Sequence, residues 1–141
     1  MTTESQLLKI AFASSDGITV DGHFGSCEQF IIYTLNEHQQ QKVEVRLAKS
    51  GRGVEKNALR AETIADCHLM FCASIGGPAA ARVIRTGIHP MKCKVIDGVF
   101  PSITDQLNQL QERMKSALLP PWLAKLTGQA DQLHNRFDAL A

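Results

Sequence analysis

The period of apolar and polar positions changes several times along this chain, and each change marks an element. Leu7-Leu8-Lys9-Ile10-Ala11-Phe12-Ala13 is a compact apolar run closed by the turn cluster Ser14-Ser15-Asp16-Gly17. Such a run predicts a buried strand near a sheet centre. Phe30 to Leu35, rich in β-branched and aromatic residues, predicts a second strand. After the polar link Asn36 to Gln41, Lys42 to Leu47 alternates strictly. That alternation predicts a half-exposed strand with one charged and one apolar face. The short link predicts an antiparallel hairpin between these two strands. Ser50-Gly51-Arg52-Gly53 reads as a flexible loop, and beyond it the positions Ala58, Ala61, Ile64 and Ala65 predict a helix over about Glu55 to Ala65.

His68 to Ala73 predicts a buried strand, broken by Ser74-Ile75-Gly76-Gly77-Pro78. Pro78 suits the first turn of a helix that turns Ala80, Val83 and Ile84 inward and stops at Gly87. Met91 to Ile96 predicts another strand, and Asp97-Gly98 turns the chain. Ser102-Ile103-Thr104-Asp105 resembles a capping box with Asp at its last position. Behind it Ile103, Leu107, Leu110, Met114 and Ala117 form an amphipathic stripe that Pro120-Pro121 ends. Trp122 to Ala141 predicts one or two short helices around Gly128, anchored by Trp122, Leu126, Leu133, Phe137 and Leu140.

The expected organisation is an α/β domain over residues 1–120, with a helical C-terminal extension over 121–141 packed on it. The element order predicts a mixed five-stranded sheet flanked by helices, its later strands parallel. Ligands of such sheets sit outside the C-terminal ends of the parallel strands. Two loops qualify, Ser14 to Cys27 and Ser74 to Pro78, and the site is expected between them.

A length of 141 residues suits one domain that builds its core without staples. Fifteen Lys and Arg against fourteen Asp and Glu leave a formal charge of +1, so the basic surplus of a nucleic-acid binder is absent. No apolar run is long enough to span a membrane. Met1 to Gln6 carries no basic segment of the secretory kind, so the expected location is the cytoplasm. There Cys27, Cys67, Cys72 and Cys93 are reduced thiols, each either core filler or a soft metal ligand. Cys67 and Cys72, five apart along a strand, are expected roughly 16 Å apart on opposite faces. His89 falls at the wrong end of its strand for a ligand. His38 and His134 read as solvated, and His68 as packed or capping.

In the first loop His23 stands between Gly22 and Gly25, small neighbours that let a bulky ligand approach the backbone. Cys27 follows four residues on. Imidazole and thiolate together suit iron, zinc or an iron–sulfur cluster; a capped loop histidine is the plainer alternative. Gly76-Gly77 lies where a helix N-terminus would offer amides to an anion. Ser14, Ser15 and Asp16 could form a catalytic set, but ordinary turn chemistry accounts for them. No GxGxxG, P-loop or GxSxG motif occurs.

Lys9 to Asp16, then Val20-Asp21-Gly22-His23-Phe24-Gly25, then Phe30 to Tyr33 resemble the dinitrogenase iron–molybdenum cofactor biosynthesis family. So do Asp66 to Cys72, Ile75-Gly76 and Gly87 to Pro90. The tail segments Trp122 to Lys125 and Arg136 to Ala139 are similar to the ends of NifX- and NafY-type members. The resemblance implies a ribonuclease H-like fold. It also implies a carrier, not an enzyme, that binds the iron–molybdenum cofactor or its iron–sulfur precursor during nitrogenase assembly. His23 is then the expected cluster ligand, with Cys27, on the residue reading alone, a second metal ligand. Phe24, Gly25 and Ser26, with Ser14, Ser15, Gly76 and Gly77 from the loop ends, complete the expected cofactor contacts. Arg52, Lys56 and Arg82, positive residues near the loops, could balance an anionic cargo; a merely solvated side chain is the plainer reading of each. Implied partners are apo-dinitrogenase or other nitrogenase assembly proteins, with neither nucleic acid nor membrane. NafY-type proteins carry an extra N-terminal domain, so the chain reads as NifX-like or as a NafY-type core domain. Two other readings stay open: a metal-dependent hydrolase or nuclease on the same scaffold, and a pure dinitrogenase-interaction module.

Overall fold

The computed structural model describes residues 7–49 and 54–115. They form β1 (Leu8–Ala13), β2 (Gln29–Leu35), β3 (Gln40–Leu47), α1 (Val54–Thr63), β4 (Leu69–Cys72), α2 (Gly77–Arg85), β5 (His89–Lys92) and α3 (Ile103–Lys115). This is the element order that the hydrophobic pattern predicts. The expected tail helices, the boundary at residue 120 and Arg52 lie outside the described residues.

The strands form one mixed sheet in the order β3-β2-β1-β4-β5. β2 is antiparallel to β1 and β3, while β4 is parallel to β1 and β5. β1 is central, which is why its run is apolar on both faces. Ile10 and Phe12 join Ile31, Leu69 and Phe71 under Ile103, Leu107 and Leu110 of α3. Ala11 and Ala13 join Phe30, Ile32 and Met70 on the other face, against Ala61 of α1 and Ala79 and Val83 of α2. Phe12 meets Tyr33 edge-on with centroids 5.7 Å apart and stacks on Phe71 at 5.1 Å. No helix among the described residues is long and apolar enough to cross a membrane.

Helix ends follow their capping residues. Gly87, at φ 97°, closes α2; its N–H donates to the Ile84 carbonyl and the Ile88 N–H to that of Val83. That is a Schellman motif, and the buried Ile88 supplies its apolar contact. At α3 the Ser102 hydroxyl accepts the Asp105 N–H at 2.9 Å.

Four expectations change. The last strand is His89–Lys92 rather than Met91 to Ile96. His89 and Cys93 donate their N–H groups to His68 and Cys72, so Pro90 between them turns its ring nitrogen to the open edge and removes no ladder bond. The chain then closes a two-residue hairpin, with Asp97 at φ 52° and Gly98 at φ 76°. β3 is exposed on both faces: Val43, Val45 and Leu47 retain 47%, 45% and 76% of their surface, because the apolar stripe of α3 covers β1, β2 and β4, and α3 meets β3 through hydrogen bonds that Gln40, at the start of β3, donates to Asn108 and Gln111. In α2 the buried pair is Ala79 and Val83, and Ile84 faces outward. Cys67 lies in the turn before β4, outside the strand's alternation, and packs in the same core as Cys72.

Candidate functional site

β1 and β4 are parallel neighbours, so the loops leaving their C-terminal ends begin side by side. The first loop returns and knits itself between them. Gly22 N–H donates to the Ala13 carbonyl at 3.0 Å, Ala73 N–H to that of Gly22 at 2.8 Å, and Phe24 N–H to that of Ser74 at 2.9 Å. A Cβ at position 22 would stand 2.9 Å from the Ala13 backbone, so this close approach requires glycine. His23 is thereby set in parallel register with Ser74.

The exposed His23 ring places Nδ1 2.6 Å from the Ser74 hydroxyl. When Nδ1–H donates to that hydroxyl, Nε2 holds the lone pair that a metal needs. Nε2 stands 3.2 Å, and the Lys56 Nζ 3.7 Å, from the point that a Cβ on Gly25 would occupy. Glycine at 25 therefore leaves a narrow gap, tight even for one added carbon, bordered by an imidazole and an ammonium.

Behind the gap the turn is anchored from two sides. The Phe24 ring is fully buried and lies 5.8 Å from that of Phe30. Arg60, only 6% exposed, donates from Nε to the Phe24 carbonyl at 2.6 Å and from Nη2 to the Cys27 carbonyl. The same Nη2 lies 3.3 Å from the Cys27 sulfur. Within the turn the His23 carbonyl accepts the N–H groups of Ser26 and Cys27. The Cys27 thiol is directed at Arg60 and the Phe24 carbonyl. Burial pushes its pKa up, and Arg60 draws it only part of the way back.

The other expected contacts divide. Ser14 is buried and caps its own turn, its hydroxyl donating to Asp16 and accepting the Gly17 N–H. Ser15 gives its N–H and hydroxyl to Asp21. Asp16 accepts the N–H groups of Thr19 and Ile18, which hold its pKa at about 2. Both loop carboxylates are thus committed to their own loop. Gly76 and Gly77 are exposed at the start of α2, with open space where a Cβ would stand.

The chain matches the family model described as dinitrogenase iron-molybdenum cofactor over residues 6–112. It belongs to this family. It is 44% identical to protein NifY of Klebsiella pneumoniae over 124 residues, covering 86% of this chain and 52% of that protein. It is 35% identical to protein NifX of Sinorhizobium fredii over 135 residues, covering 89% of this chain and 81% of that one. The chain thus spans about half the length of the NifY protein. Among solved structures, the one titled "Crystal structure of PH0822" superposes with a TM-score of 0.58 at 21% identity, covering 74% of this chain and 91% of that one, a likeness of fold.

The family match includes both loops and the whole of α1, so it takes in two residues that the sequence reading passed over. Arg60 lies four positions before Ile64 and therefore on the inward stripe of α1; that spacing was the available signal. Ser74 opens a loop that the pattern had singled out, but its pairing with His23 is a product of the β1–β4 register. Among the described residues no three His, Cys, Asp or Glu side chains converge as a metal site.

Proposed function

We propose that this member of the family carries the iron–molybdenum cofactor of nitrogenase, or its iron–sulfur precursor, during nitrogenase assembly, with His23 Nε2 as the ligand to iron. The observation that carries this reading is the His23–Ser74 pair, which fixes the ring and leaves Nε2 bordering the gap at Gly25. A carrier has to release its load, and one imidazole does that more readily than a closed set of four ligands. For Cys27 to act as a second ligand, its sulfur must leave Arg60 and lose its proton. The strand order and the antiparallel β2 support a ribonuclease H-like sheet. A two-metal nuclease on that sheet needs several free carboxylates, whereas Asp16 and Asp21 are occupied within their loop. The receiver of the cargo is apo-dinitrogenase or another nitrogenase assembly protein, and the setting is a reducing cytoplasm.

The test is anaerobic mixing with isolated cofactor, followed by gel filtration. The wild-type chain is expected to comigrate with molybdenum and iron, and His23→Ala to lose most of both. Unchanged retention by His23→Ala would overturn the reading.

A further inference from the structure

Lys56 is the third residue of α1. A cation in a first helical turn is opposed by the helix dipole, whose positive end lies there. The usual remedy is a carboxylate, yet among the described residues Lys56 makes no ion pair. It is half-buried rather than extended into water. One turn further on is Arg60, a like charge at i+4 on the same helix face. Arg60 is buried, and its partners are uncharged groups of Phe24 and Cys27. Glu55 supplies a carboxylate to the same first turn, but among the described residues neither Lys56 nor Arg60 pairs with one directly; α1 presents both positive charges to the His23–Cys27 turn, and the ammonium of one stands at the gap that His23 Nε2 borders.

Arg60 braces the turn of the apo protein, but the ammonium of Lys56 adds no such stabilisation. That ammonium makes sense when negative charge docks on the exposed His23 ring beside it. We propose that Lys56 is the second contact for the cargo, and that Lys56 and Arg60 make the Gly25 gap select a metal centre of net negative charge over a bare divalent cation. The inference rests on the His23 reading and adds a charge criterion to it. When a thiolate-capped cluster binds, Nε2 replaces one capping thiolate, which leaves with its electron pair and charge. The cluster that remains is still anionic, and the ammonium lies beside it.

The test uses two probes of opposite charge on the full chain. One is a synthetic [4Fe–4S] cluster with four thiolate caps, a dianion. The other is Co²⁺, read by paramagnetic broadening of the His23 ring signals. Lys56→Gln should weaken cluster binding by about tenfold at low salt, and the loss should shrink as salt screens the pair. The same variant should bind Co²⁺ at least as tightly as wild type. Lys56→Arg should retain cluster affinity. Full affinity of Lys56→Gln for the cluster, with loss in His23→Ala, would overturn the charge criterion and leave the carrier reading standing. Equal weakening toward cluster and Co²⁺ would make Lys56 a structural residue and overturn it too. Full cluster binding by His23→Ala would remove both.

Discussion

Arg60 holds Cys27 across 33 positions of sequence, by its carbonyl oxygen and by its sulfur at 3.3 Å, while the guanidinium Nε takes the carbonyl of Phe24. Three atoms of the His23 turn thus depend on one buried side chain. Arg60→Met keeps much of the apolar stem but takes the guanidinium from two carbonyl oxygens and leaves that of Phe24 only the Cys27 thiol at 3.9 Å. Each unsatisfied acceptor costs about 1–3 kcal/mol when water cannot reach it. Some water will enter at this surface turn, so the expected loss is about 2 kcal/mol, read as a lower urea midpoint with unchanged slope. Arg60→Lys should recover only part, since an ammonium cannot span both carbonyls. A midpoint unmoved by Arg60→Met would show that the turn holds without its brace.

The same contact orders the cysteines by reactivity. Cys67, Cys72 and Cys93 are buried, and burial raises their pKa values to about 12, 12 and 11. Cys27 is half-buried, its pKa raised by desolvation and partly offset by Arg60. Iodoacetamide should label Cys27 first, more slowly than free cysteine at pH 8, and faster as pH rises toward the thiol's own pKa. The other three should react only on unfolding. Mass spectrometry of the digested protein reads the order, and early labelling of Cys72 would contradict it.

Much of this arrangement was legible in the chain. β1 announces itself because a central strand buries both faces. The two loops could be paired because parallel strands put their C-terminal ends together. β5 was misplaced because Pro90 looks like a break, and only the sheet shows that its nitrogen faces the open edge. The Asp97-Gly98 turn was visible, yet Val95 and Ile96 read as strand because apolar character alone does not distinguish a sheet from a solvent-facing hairpin tip. At the site, His23 stood out by its glycines. Ser74, 51 positions away, could not, since its hydroxyl matters only once β1 and β4 are in register.

Asp16 gives the first loop an acid sensitivity of known sign. Its pKa falls from 3.8 to about 2 because its carboxylate accepts backbone N–H groups from Thr19 and Ile18. A depressed carboxyl stabilises the fold fully above its unfolded pKa, and that contribution is lost as pH falls through the folded value. The stability gap between wild type and Asp16→Asn should therefore be constant near neutrality and close between pH 3.8 and about 2. Urea midpoints measured against pH give the curve. A gap that persists at the acid end would assign the effect to shape rather than charge.

Two glycines make a steric contrast. At Gly22 an added Cβ meets the Ala13 backbone at 2.9 Å, whereas at Gly77 it meets nothing within 4 Å. Backbone cannot swing aside as a side-chain end can. Gly22→Ala should cost about 1–3 kcal/mol and detach the loop from β1. Gly77→Ala, in the first turn of α2, should be neutral or stabilise by up to about 1 kcal/mol through the unfolded chain. Thermal melts of the two variants, with hydrogen exchange at the Gly22 and Ala73 amides, separate the outcomes.

The cargo should be a passenger of the fold, not its builder. Metal-dependent mini-domains lack a core of their own. Here β1 alone buries Ile10, Ala11, Phe12 and Ala13 completely, and cores on both sheet faces close around them without the His23 ring. The apo protein should melt cooperatively. His23→Ala removes one exposed hydrogen bond to Ser74, so its apo stability should fall by no more than about 1 kcal/mol. Bound cargo should add stability by linkage, about 2.7 kcal/mol at a free concentration one hundred times Kd, or several degrees in Tm. That increment should be present in wild type and absent in His23→Ala, which separates a ligand from a structural histidine. An apo chain that is unfolded, or a His23→Ala variant that collapses before any cargo is added, would place His23 in the framework and not in the site.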